Sequence, residues 1–245
     1  MSSHYFSNTL VINLQPNNTA QQIMLMEASN IDISSLAIEK LLSEFELCVL
    51  EKRKVPAAKQ EYLATRLTLK YLYKHAYPHD DLALNEISSQ FDDKDSKLKL
   101  HTPVRESVWA CLSHSNGLIG AALNPAQQLL GFDIEQSNKP RPFIKLAKHF
   151  YHQDEVDLIS SFDAPDEQAQ CFFRIWTLKE ALAKASAQPI AKLLAPNVFE
   201  EIRKHNFCAS SNCIEGFDIS VVAQKSTDWQ CSFISFSDLR RDLAF

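Results

Sequence analysis

The chain has 245 residues, 45% of them hydrophobic, enough to bury one large core or two small ones and too much for a disordered segment. With 30 acidic against 25 basic side chains the net charge is −5. That balance argues against a nucleic-acid binder, so an anionic ligand has to be met by a local cluster of cations. Six cysteines without a C-x-x-C pair fit reduced thiols, and only four glycines leave no Gly-rich phosphate loop.

No charged segment followed by a long apolar run opens the chain, and nowhere do about 18 apolar residues run together. The expectation is a cytoplasmic protein with no membrane span and no nucleic-acid partner.

From Ile33 to Tyr77 the hydrophobic period is helical, first in "SSLAIEKLLSEFELCVLEKRK" and then in "AAKQEYLATRLTLKYLYKHAY", with Pro56 between the two. The basic run Lys52, Arg53, Lys54, followed by Lys59, Arg66 and Lys70, suits either a phosphate site or an ordinary solvated helix face. A polar stretch then leads into "VWACLSHSNGLIGAALN", where Asn116-Gly117 divides two strand-like runs and predicts a hairpin. In "LSHS", hydroxyls and an imidazole near that turn can donate to phosphate oxygens.

"LLGFDIE" follows as a strand. Alternation puts Leu129, Gly131, Asp133 and Glu135 on one side and Leu130, Phe132 and Ile134 on the other, which reads as the core side. The two carboxylates then lie ~7 Å apart, able to share one hard cation, with Gly131 leaving space beside them for a ligand. An amphipathic strand with a wet face explains the same pattern.

Helical segments near 142–160 and 166–187 come next, then strands in "FDISVVA" and "WQCSFISF". In the second helix Cys171, Ile175, Leu178, Leu182 and Ala185 make a core stripe, while Trp176, Glu180 and Lys184 make a second row at four-residue spacing. Glu180 and Lys184 suit a functional face or an exposed ion pair, and the adjacent Lys179 favours exposure. Helices precede strands on both sides of a boundary near Asn124, which predicts an α+β fold in two halves, residues 1–124 and 125–245.

In this order and spacing, "LSHS", "GFDIE" and "FFRIWTLKEALAKA" resemble the signature set of the Sfp-type 4′-phosphopantetheinyl transferases, over roughly residues 50 to 190. The resemblance implies two similar, pseudo-symmetric α+β halves in a monomer, with the active site at their interface. It also implies magnesium-dependent transfer of the phosphopantetheine arm of coenzyme A to a serine of an apo acyl or peptidyl carrier protein, releasing adenosine 3′,5′-bisphosphate. By matched positions Asp133, Glu135 and Glu180 would ligate the metal, and Lys184 would contact the pyrophosphate and leaving group. Ser113 and His114 would hold coenzyme phosphates, Arg66 the 3′-phosphate region, with Lys54 a further cation and Glu155 an accessory acid or base. The family's Gly-Lys-Pro element is here Ser96-Lys97-Leu98, so Lys97 keeps the cation while the turn residues differ. A magnesium-dependent phosphohydrolase and a non-catalytic carrier-binding module stand as the alternatives.

Overall fold

The computed structural model describes residues 9–13, 21–29, 31–94, 96–138, 141–224 and 229–245. Helices and sheets are both abundant, and the chain is α+β. It divides into two compact units, Ile12–Gln127 with Gln230–Phe245, and Gln128–Trp229 with described residues of the N-terminal 11.

The first unit carries a sheet of β1 (Val11–Asn13), β2 (Gln22–Glu27), β3 (Ser88–Asp92), β4 (Lys97–Thr102), β5 (Arg105–Ser115), β6 (Leu118–Asn124) and β10 (Gln230–Phe233), in the order β1-β10-β2-β6-β5-β4-β3. Its C-terminal strand corrects the expectation of two continuous halves. β10 pairs in parallel with β2, and Gln22 Nε2 donates to Ser232 Oγ at 2.6 Å, so the C-terminal residues belong with the N-terminal sheet. The segment read as one strand through Phe236 ends at Phe233, because Ser235 caps a new helix, α8 (Phe236–Leu243), through the Asp238 N–H.

The first long helical segment breaks in the same way. Between α1 (Ile38–Leu41) and α2 (Glu44–Lys52), Ser43 and Glu46 form a reciprocal capping box that starts a second helix. Pro56 then opens α3 (Pro56–Ala76), where its missing N–H costs nothing. α3 packs on β6 and buries Leu63, Leu67 and Tyr71. The predicted hairpin is present: β5 and β6 pair antiparallel up to Ser115 and Leu118, and Asn116 (φ 47°) and Gly117 (φ 87°) both take the left-handed geometry of a type I′ turn.

The second unit has three antiparallel strands, β7 (Leu130–Gln136), β8 (Phe207–Ile214) and β9 (Phe217–Gln224), in the order β7-β9-β8. Around them lie α4 (Phe143–Phe150), α5 (Gln153–Ser160), α6 (Pro165–Ser186) and α7 (Val198–Lys204). α6 packs against β7 and β9, and the predicted stripe Cys171, Ile175, Leu178, Leu182, Ala185 is buried in its core with Phe172 stacked on Tyr151. Each unit thus sets one long helix, opened by proline, against a sheet, seven-stranded and mixed in the first unit and three-stranded and antiparallel in the second. No helix among the described residues is long and apolar enough to cross a membrane.

Candidate functional site

β7 and α6 bring four of the predicted residues together. Gly131 is where they meet: a Cβ built there would lie 2.0 Å from the Ala181 carbonyl oxygen and 2.6 Å from the Ala185 nitrogen. The space beside Gly131 is therefore filled by helix backbone, which corrects the expectation of a ligand gap, and only glycine permits so close an approach. The neighbouring face of β7 is not wet either, since Asp133 is buried beneath α6 while Glu135, nearer the strand end, is partly exposed.

Across this contact Lys184 Nζ donates to Asp133 Oδ1 at 2.7 Å and to the Phe132 carbonyl at 2.9 Å. The lysine is thus directed at β7 rather than paired with Glu180 one turn earlier. Glu180 is pushed above the ordinary carboxylate range, first by burial and then by the negative charges of Asp133 and Glu135, with Lys184 opposing. Among the described residues no three His, Cys, Asp or Glu side chains are gathered into a closed metal cage, and Lys184 is the cation that Asp133 now faces. The donor set is nevertheless that of a hard divalent ion: carboxylate oxygens only, with Asp133 and Glu135 near enough to disfavour the charge on Glu180.

In the other unit one turn of α3 gathers cations. The guanidinium groups of Arg53 and Arg66 stand over the Tyr62 ring at 4.6 and 4.2 Å, and among the described residues Arg53 Nε and Arg66 Nε are buried without an acceptor. Two buried N–H donors of like charge without acceptors suit an anion. Arg53 is a residue whose importance the sequence did not single out from its basic run. Lys54, beside it, is exposed.

Ser113 is buried on β5, and the next residue, His114, is mostly exposed with its Nδ1 3.1 Å from Glu61 Oε2. Lys97 lies largely buried, its Nζ 5.6 Å from the centre of the Trp109 ring. Before it, Ser96 takes φ 53°, the left-handed conformation for which glycine is the cheap residue.

Three of the expected residues prove to be buried. Lys70, counted in the basic run, is 1% exposed, and its ammonium donates to Glu46 at 2.7 Å and to the carbonyls of Leu84 and Ile87. Glu155, expected as an accessory acid or base, is equally buried: it pairs with Lys179 at 2.9 Å and accepts the N–H groups of His152 and Val198. That carboxylate caps α5 and anchors α7. Lys179, expected in solvent beside Glu180, is fully buried and also donates to the carbonyls of Leu193, Leu194 and Pro196.

Residues 129–234 match the family model of the 4′-phosphopantetheinyl transferase superfamily. The Synechocystis sp. protein slr0495, provisionally named a 4′-phosphopantetheinyl transferase, is 30% identical over 156 residues, 62% of this chain and 60% of its own. The 4′-phosphopantetheinyl transferase HetI of Nostoc sp. is 45% identical over 83 residues, 34% of each chain. The matched part is less than two thirds of either relative's length.

Proposed function

We propose that this chain, with its match to the 4′-phosphopantetheinyl transferase superfamily at residues 129–234, transfers the phosphopantetheine arm of coenzyme A to a serine hydroxyl of an apo acyl or peptidyl carrier protein. The serine oxygen forms a bond to the β-phosphorus, the pyrophosphate bridge breaks, and adenosine 3′,5′-bisphosphate leaves. The observation that carries this reading is the Lys184–Asp133 contact held by Gly131, with Glu135 and Glu180 beside it.

Asp133, Glu135 and Glu180 are the residues to hold magnesium, which, when bound, neutralises charge spread over the phosphate oxygens. Lys184 is partly exposed on a long side chain, and its ammonium would reach from Asp133 to a phosphate oxygen of the substrate. It then stabilises charge on the leaving group. Arg53 and Arg66 offer their unpartnered Nε–H groups to a terminal phosphate of the coenzyme, with Lys54 and Lys97 adding positive potential. His114 and Ser113 donate to the remaining phosphate oxygens. A carboxylate in the acidic group, Glu180 first, accepts the serine proton; the burial of Glu155 and its pairing with Lys179 support placing it second.

Incubating the protein with coenzyme A, magnesium and a panel of apo carrier proteins, followed by intact mass analysis, tests this reading. Gain of one phosphopantetheine arm by a carrier supports it. Hydrolysed coenzyme A with unmodified carrier indicates a phosphohydrolase, and complex formation with neither product indicates a binding module.

A further inference from the structure

We propose that Glu61 is a positioning residue that sets the ring orientation of His114 for the anionic substrate; the inference rests on the proposed role of His114 toward coenzyme phosphates. Glu61 lies in the first turns of α3, one residue before the Tyr62 that carries the two arginines. Its two carboxylate oxygens have different partners. Oε1 accepts the backbone N–H of Gly117 at 2.9 Å, and Oε2 lies 3.1 Å from His114 Nδ1.

The first contact answers a need of the hairpin. In a two-residue type I′ turn, the N–H of the second central residue has no partner in the strand ladder, and here that residue is Gly117. The Glu61 carboxylate takes it and so fixes the turn against α3. Gln60 adds to the same anchoring from the neighbouring position, donating to the carbonyls of Ser29 and Ile31.

The second contact fixes a ring. His114 is 59% exposed at its side chain, and an exposed imidazole is free to rotate about two torsions unless one nitrogen is held. With Nδ1 held 3.1 Å from a carboxylate that the turn already immobilises, Nε2 is the nitrogen left for a ligand, and it donates to a phosphate oxygen when the ring carries both protons as imidazolium. The histidine therefore meets a phosphate with one prescribed atom. This task differs from that of Arg53 and Arg66, which bind charge, because Glu61 is itself an anion and gains nothing from direct contact with a phosphate.

The test combines kinetics and nitrogen NMR on the full chain. With Glu61→Ala, KM for coenzyme A is expected to rise about tenfold, the effect of losing one charge-assisted hydrogen bond, while kcat changes less than about twofold. In the His114→Ala background the same substitution is expected to add nothing, since both act through one ring. Multiplying effects in the double variant, or a fall in kcat with KM unchanged, would overturn the proposal.

The Nδ1 resonance of His114 reports the contact without any substrate. It is expected to be protonated in the parent protein. In Glu61→Gln, which keeps the shape of the side chain, the amide oxygen must stay on the Gly117 N–H, so the NH₂ faces the ring and Nδ1 becomes an acceptor. An Nδ1 signal unchanged in Glu61→Gln overturns the proposal. If the parent protein transfers no phosphopantetheine, the functional reading fails while this NMR arm still decides the positioning role.

Discussion

Gly131 and Ala181 are in backbone contact so close that the glycine cannot be replaced: a methyl group at Gly131 would lie 2.0 Å from the Ala181 carbonyl oxygen. The strand that carries Asp133 and the helix that carries Glu180 and Lys184 are held at that separation by the absence of one carbon atom. Gly131→Ala is predicted to cost about 3 kcal/mol of stability through forced displacement of β7 from α6. A denaturant melt measures the loss, and coenzyme A turnover should fall with it even where the protein remains folded.

Asp133→Ala and Glu180→Ala should separate chemistry from folding. Removing Asp133 leaves Lys184 bonded to the Phe132 carbonyl and partly solvated, so stability should change by only about 1 kcal/mol. Removing Glu180 relieves crowding of like charge. Transfer should drop at least about 1,000-fold in both, as expected when a preorganised charge site is lost. Parallel measurement of kcat and melting temperature checks this, and near-normal turnover in either variant contradicts the site assignment.

Much of this site is legible from alternation and helical spacing. Strand parity correctly groups Gly131, Asp133 and Glu135 and sets Phe132 and Ile134 apart, but parity states which residues share a face, not what covers it. Both sides of β7 prove to be buried around Asp133, so the apparent wet face is a helix contact. Lys179 and Glu180 show the same limit: adjacent helical residues point about 100° apart, and what makes Lys179 the buried one is a set of carbonyls from residues 193 to 196. Nothing in the local pattern contains that partner. The Asn116-Gly117 turn was readable because its geometry demands those residues, whereas Glu61 carries no motif and becomes meaningful only through Gly117 and His114.

The buried pair of Glu46 and Lys70 predicts acid sensitivity. Burial alone pushes the Glu46 carboxyl up, but attraction to Lys70 and the hydrogen bonds from Lys70, Ser89 and Ser43 together leave it below the ordinary range. A carboxylate lowered in the folded state stabilises the protein above its unfolded pKa, about 4.3, and that contribution disappears as pH falls through the folded value. Stability should therefore decline below about pH 4, and Glu46→Gln should flatten this part of the profile while lowering stability at neutral pH by about 3 kcal/mol, because it leaves Lys70 buried without its counter-charge. Urea melts from pH 3 to 7 provide the comparison.

Ser96 offers a gain in stability. It is exposed and held at φ 53°, so Ser96→Gly removes a backbone cost of about 1 kcal/mol, partly offset by the greater freedom of glycine in the unfolded chain. A small rise in melting temperature, with coenzyme A kinetics unchanged, is the expected result.

Arg53 and Arg66 should act on substrate binding. Each alanine substitution removes one buried cationic donor and should raise KM for coenzyme A about tenfold, with a smaller effect on kcat. Unchanged KM in both variants would separate the paired guanidinium groups over Tyr62 from the coenzyme.

The central claim is that the carboxylates and Lys184 joined through Gly131 transfer phosphopantetheine. Intact mass analysis of apo carrier proteins after reaction with coenzyme A and magnesium tests it most directly. The parent protein should add one phosphopantetheine arm to a carrier serine, and Asp133→Ala should add none. Unmodified carriers with the parent protein, or equal modification by the variant, would contradict the account.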